Sequence, residues 1–329
     1  MLQSSRSLLQ RTAAAISWWT TSGVAGEEQP LPQTLETIAE SAVIGGYAAG
    51  IAVGFCLPIK YPATVCYGRA NLETETPITS GTLFRIGACT RQFTAAAILL
   101  LCEGSKFRLD DTIATFFPEA YDAQDVTVRD LLAGDENSYA LLGHVIEHVT
   151  GLPYAEFIRE ALLRPAGMEV TRFANPAGIL PGRASGYRLA DDRIHDFRNV
   201  VARKIMAADD GLYSTAGDLL LWNRALHSGR LLSRDSVQLM VTAGAAEATC
   251  PTLAPILSHA GRGFGFKIGR LFGRRAFWQR GQAPGFESWL FHFPDERVDL
   301  ALLANTEQGV TTILEPMLRA LLRVQDGAR

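Results

Sequence analysis

Chemistry in this chain has to come from a few polar clusters set among apolar runs. Ala88-Cys89-Thr90-Arg91 opens a strongly apolar stretch, and Arg91 would give Cys89 the positive field that a reactive thiolate requires. The preferred reading of Cys89 is a buried core thiol, the usual condition of free cysteine. Asp135 and Glu136 stand before an amphipathic run, and Asp209 and Asp210 before Gly211-Leu212-Tyr213. Arg280 and Gln282 flank Gly281 in a β-rich run. Acids and arginines brought together can move protons and stabilise developing charge without a nucleophile. His144-Val145-Ile146-Glu147-His148 matches the H-x-x-E-H zinc pattern, with both histidines on one helix face. No third ligand accompanies it, so a solvated helix face is preferred and no metal is expected. His195, His227, His259 and His292 show no catalytic spacing. A phosphate loop and a dinucleotide fingerprint are both missing, so no cofactor is expected.

These residues need elements to position them. Gln33 to Val43 has helical spacing, and strand-like runs follow at Ala49 to Cys56 and Ala63 to Tyr67, joined by a proline-rich turn. Asn71 to Ser80 reads as a connector, and Thr90 to Glu103 as an apolar helix stopped by Gly104. Short helices are expected at Val128 to Leu132, Tyr139 to Val149, Tyr154 to Leu163 and Thr215 to Leu226, with a loop over Leu180 to Arg203. Four β-rich runs from Phe264 to Ala304 and an amphipathic helix, Thr311 to Val324, close the chain. The order implies a mixed sheet built from both ends, with an inserted helical domain. The expected boundaries are 1–30 for an N-terminal extension, 31–86 with 205–329 for the sheet domain, and 87–204 for the helical domain.

The chain has 329 residues, 47% hydrophobic and 20% charged, as in ordinary globular proteins. A net charge of -3 and no basic stripe argue against a nucleic-acid partner. No apolar run reaches the roughly 20 residues of a membrane span, and Phe93 to Cys102 reads as a buried helix. Five cysteines leave at least one thiol free. Cys56 and Cys66 flank the proline-rich turn, and a disulfide across the hairpin is one reading; reduced cytosolic thiols are the default. Arg6, Arg11 and the short apolar stretch Thr12 to Trp19 leave an export signal open beside a loosely structured extension. A cytoplasmic location is preferred.

Several ordered blocks carry a resemblance. They are Gly68-Arg69-Ala70-Asn71-Leu72-Glu73, Thr82-Leu83-Phe84-Arg85-Ile86-Gly87, Gln92-Phe93-Thr94, Leu141-Leu142-Gly143, Pro165-Ala166-Gly167-Met168, Gly211-Leu212-Tyr213-Ser214-Thr215, Pro284-Gly285-Phe286 and Leu302-Leu303-Ala304-Asn305. The chain resembles the serine β-lactamase/penicillin-binding-protein family, in its class C-like and esterase branch. The resemblance implies an α/β (α+β) fold: an antiparallel sheet flanked by helices, an inserted helical domain, and an active site in the cleft between them. It implies hydrolysis of β-lactams, cell-wall peptides or esters, or acyl transfer.

The family's catalytic slots hold other residues here. Its Ser-x-x-Lys aligns with Ala88 to Arg91; alanine has no nucleophile, and an arginine stays protonated. Its Tyr-x-Asn aligns with Gly134-Asp135-Glu136, and a stretch between Leu132 and Gly134 is missing. Its Lys/His-x-Gly falls at Gln279-Arg280-Gly281, with Arg280 read into the charged slot. Asp209 and Asp210 replace small residues, and one of them is expected to pair with Arg91 or Arg280. Ala88, Arg91, Asp135, Glu136, Asp209, Asp210, Arg280 and Gln282 are therefore the expected lining of a remodelled cleft, with Cys89 as the candidate replacement nucleophile. The expected function is non-hydrolytic binding of a small molecule or peptide, or repurposed acid–base catalysis such as a cyclisation or isomerisation. A residual or cysteine-dependent hydrolase and a protein-interaction role are the alternatives. Sequence leaves the oligomeric state open.

Overall fold

A computed structural model describes residues 30–58, 62–119, 125–134, 136–173, 179–191, 193–197, 207–242, 244 and 250–326. The expected N-terminal extension, with its export reading, lies outside the described residues. Among these, no helix is long and apolar enough to cross a membrane.

The opening helix α1 (Leu31–Ile44) buries Leu35, Ile38, Ala39 and Ala42, the stripe that three-to-four spacing places on one face. Strands β1 (Gly50–Cys56), β2 (Ala63–Asn71) and the short β3 (Thr76–Pro77) follow, then β4 (Phe84–Arg85). A tight turn, Gly87–Thr90, leads into α2 (Arg91–Glu103). Every residue from Gln92 to Leu99 is buried in α2, as an all-round apolar helix requires. Next come α3 (Val128–Leu132), α4 (Glu136–Thr150) and α5 (Tyr154–Ile158), which runs on through a π-turn, Arg159–Leu163. β5 (Arg172–Phe173), β6 (Gly186–Ala190) and β7 (Arg193–Phe197) precede α6 (Ala207–Asp210), β8 (Leu212–Ser214), α7 (Ala216–His227) and α8 (Arg234–Met240). The chain closes with β9 (Leu257–Arg262), β10 (Lys267–Leu271), β11 (Arg274–Ala283), β12 (Phe286–Phe293), β13 (Val298–Ala304) and α9 (Leu314–Asp326).

The main sheet has eight strands in the order β3-β2-β1-β13-β12-β11-β10-β9, so strands from the two ends of the chain meet at β1–β13. One face packs on α1 and α9 through Ile51, Val53, Trp278, Trp289, Phe291, Leu300 and Leu302. The other, carrying Ala52, Phe277, Leu290, Ala301 and Leu303, shares one hydrophobic cluster with α2, α4 and α7, and α7 lies directly on β1 and β13. The result is the expected mixed fold of helices around an antiparallel sheet.

Two expectations are corrected. The span Leu180 to Arg203, read as loop, contains the β6–β7 hairpin. Its Tyr187 amide donates to Asn305 O at 3.0 Å, a long-range tie that periodicity within the segment cannot reveal. Cys56 and Cys66 do not face each other: Cys66 lies opposite Ala52 and Cys56 opposite Asp299. Four residues of strand, about 13 Å, separate their levels, beyond the roughly 7 Å that a disulfide spans. Neither cysteine is in a disulfide.

Candidate functional site

The site is assembled where the Gly87–Thr90 turn crosses β11. Two glycines allow the approach. A Cβ on Gly281 would lie 1.8 Å from Ile86 O, and one on Gly87, whose φ is 54°, would lie 2.7 Å from Gln282 N. Ser288 Oγ donates to Ile86 O at 2.7 Å and fixes the turn to the sheet. Ala88 projects only a methyl group and is half-buried.

Cys89 points the other way. It is fully buried, its Sγ lies 3.5 Å from Gln279 O, and it accepts from Ser288 Oγ at 3.3 Å. Burial pushes its thiol up to about 12, outweighing Ser288 and Arg91. The candidate replacement nucleophile is thus a protonated core thiol, because one residue along a tight turn rotates the side chain away from Ala88's direction.

Arg91 and Asp209 come together as the sequence suggests: Nε meets Oδ1 at 2.5 Å, and Asp209's side chain is only 6% exposed. The guanidinium also sits 5.4 Å from the centre of the Tyr139 ring. That phenol donates to Leu132 O at 2.9 Å, and burial raises its pKa. Asp210 pairs with buried Arg85 at 2.7 Å. Burial lifts the Asp210 carboxyl to about 7, ahead of the lowering by Arg85, and Asp209 next door adds to the rise. Its Oδ1 has no hydrogen-bond partner among the described residues. Thr94 Oγ1 donates to Ala208 O at 2.5 Å, and Leu212 N donates to Thr90 Oγ1 at 3.4 Å. Short as it is, α6 is held to α2 by the Arg91–Asp209 pair and the Thr94 bond, and to β4 by the Arg85–Asp210 pair.

Arg280 is corrected. Side chains alternate along a strand, so Gly281, which faces Ile86, shares its face with Gln279 and not with Arg280. Arg280 lies on the α9 side, paired with buried Glu287 at 2.7 Å and 5.2 Å from the Trp289 ring centre. It does not meet Asp209. Counting two back from Gly281 places Gln279 in the Lys/His-x-Gly slot, so the pattern itself held the residue that was missed. Gln279 is 8% exposed and donates to Arg280 O at 3.3 Å. Gln282 is exposed and shares Arg280's alternation, although its backbone lines the approach to Gly87. Glu136 is the first residue of α4, and Asp135 lies outside the described residues.

Among the described residues no cluster of three or more His, Cys, Asp or Glu is arranged to hold a metal ion. Glu147 accepts from Tyr154 N at 2.9 Å, and His148 packs edge-on against Phe117. Those contacts give Glu147 and His148 helix-packing roles, and His144 is exposed. A hollow of about 390 Å³ lies apart from these side chains, by β2 and β3, lined by Asn71, Thr74, Thr76 and Arg183 among others.

The family profile described as Beta-lactamase matches residues 43–133 and 135–323, leaving a break at Gly134. Penicillin-binding protein 4* of Bacillus subtilis (strain 168) is 22% identical over 74% of this chain and 65% of its own length. The D-aminopeptidase of Gluconobacter oxydans (strain 621H) is 21% identical over 78% of this chain and 56% of its own. The chain therefore spans 56–65% of the length of these curated relatives. Among solved structures, the D-amino acid amidase from Ochrobactrum anthropi SV3 complexed with L-phenylalanine amide superposes with a TM-score of 0.79. It is 22% identical, covering 91% of this chain and 99% of that one. A penicillin binding protein from Bacillus halodurans gives 0.74 at 20% identity, covering 87% and 98%. Both confirm the fold.

Proposed function

The chain belongs to the beta-lactamase family, and from that premise we propose that it binds a small molecule or peptide in the family's cleft without forming an acyl-enzyme. The observation that carries this is the pair of residues in the Ser-x-x-Lys slots. The Ala88 side chain has no oxygen or sulfur, and Arg91 is committed to buried Asp209. A guanidinium at neutral pH cannot accept the proton that the slot's lysine would take. Loss of a nucleophile in an unrelated serine protease lowers turnover by on the order of 10⁶, which sets the scale of the deficit. Gly134 in the tyrosine slot removes a further acid–base group, and buried Cys89 is a poor substitute nucleophile.

The relatives' printed names point to three classes of ligand, of which D-phenylalanine amide, short peptides of D-amino acids and benzylpenicillin are the representatives to try first. Calorimetric titration of the pure protein is expected to give saturable binding of at least one of them, with the ligand recovered unchanged. Rapid turnover of any of the three would refute the reading.

A second reading, general acid–base catalysis, rests on one observation. Asp210 is a buried carboxyl whose pKa lies near 7, the range where a proton donor or acceptor works best. On that reading Asp210→Asn would abolish a turnover that Arg280→Gln leaves intact.

A further inference from the structure

His227 closes α7, and its ring lies on that of His292 in β12, with centroids 3.8 Å apart and planes inclined by 6°. His292 Nδ1 lies 2.8 Å from Asp299 Oδ1. The same carboxyl oxygen accepts from Asn223 Nδ2, one turn earlier on α7, at 2.9 Å, and that amide also donates to Phe291 O. The last turn of α7 is thus tied to β12 and β13 by a stacked ring pair and a shared carboxylate. Nε2 of His227 is buried with no hydrogen-bond partner among the described residues, and Phe266 and Phe277 pack around the ring.

We infer that the His227–His292 stack is an acid-operated latch that holds α7 against the sheet. A proton added to His227 has no acceptor in this enclosure and sets a cation face-to-face with the neighbouring imidazole. Burial, and then His292, hold the His227 pKa well below the ordinary 6.5. The titratable group against the ring is His292; beyond it lie Asp299, which holds His292, then Cys56 and Arg224 near that carboxylate, and Arg275 over Phe277. Only Asp299 favours a cation, and it is engaged by His292 and Asn223.

A histidine with a depressed pKa contributes stability that is complete above the unfolded value and is lost as pH falls below it. Acidification through the low sixes therefore draws on α7 first. Release of α7 reaches the candidate site, because Trp222 in its middle stacks on Phe93 at 3.9 Å and donates to Gln92 Oε1 at 2.9 Å, directly beside Arg91.

The test is hydrogen exchange of the full chain, followed by mass spectrometry and corrected for the intrinsic pH effect. Peptides covering 216–227 and 286–300 are expected to lose protection by up to about tenfold per pH unit below 6.5, the limit for one linked proton. His227→Phe, or His227→Gln if the larger ring fails to fold, is expected to abolish that loss. Protection that is equal at high and low pH, or a loss that persists unchanged in the variants, would overturn the latch. Histidine C2-proton NMR of the unaltered protein is a second readout. A His227 titration near 6.5 with α7 protection intact would also overturn it.

Discussion

Position 91 shows how one substitution requires another. On the proposed reading Arg91 replaces a lysine, and the charge it brings is neutralised by buried Asp209. Breaking a buried pair from one side leaves an uncompensated charge, so Asp209→Ala is expected to cost about 3–5 kcal/mol in denaturant unfolding. The same pair predicts how restoration behaves. Ala88→Ser with Arg91→Lys is expected to give no acyl-enzyme with penicillin, because Asp209 holds the new ammonium protonated. Adding Asp209→Ala is expected to allow slow acylation, and acylation of the double variant would show that Asp209 is no obstacle. Asp210 makes a separate prediction about pH. Its carboxyl is raised from 3.8 to about 7, so the folded state holds its proton more tightly than the unfolded chain does. Stability then falls as pH rises from 3.8 to about 7 and levels off above, and Asp210→Asn flattens that slope in chemical denaturation at several pH values. The Arg91–Asp209 pairing was legible because two unusual charges appeared at two aligned blocks. The inward turn of Cys89 was legible too, since a step of one residue rotates a helical side chain by about 100° and free cysteine is usually buried.

The strand β11 carries the clearest lesson about elements. Its existence follows from composition, but which side chains reach the cleft follows from a period of two, and an error of one residue exchanges Arg280 for Gln279. Buried Glu287 accepts from Arg280 at 2.7 Å, from Trp289 Nε1, Thr311 Oγ1 and Val310 N at 3.0 Å each, joining β11 and β12 to the segment before α9. Glu287→Ala is expected to destabilise by about 3–5 kcal/mol, as removal of one partner from a buried ion pair does. An unchanged midpoint would mean that the Arg280–Glu287 pair contributes nothing to stability. The β6–β7 hairpin was missed for a related reason: its ties run to Asn305 and Thr306, more than a hundred residues away, while its own sequence is irregular.

At the scale of the whole molecule, the fold was legible because its blocks are spread along the chain in family order and each serves the scaffold. Gly281 is needed where Ile86 approaches, Asn305 donates to Arg69 O and Ser185 O, and Asp218 accepts from Thr171. None of these residues performs the chemistry, so they persist whether or not the cleft hydrolyses anything. Function was less legible, since it turns on the chemistry of a few side chains and on a ligand that sequence does not encode. The central claim is that the cleft forms no acyl-enzyme, and intact-mass spectrometry after exposure to benzylpenicillin and to a fluorophosphonate tests it directly, with Cys89→Ala alongside. The account predicts an unmodified mass for both proteins with both reagents. A stoichiometric adduct with either would contradict it, and persistence of that adduct in Cys89→Ala would place the nucleophile at a residue other than Cys89.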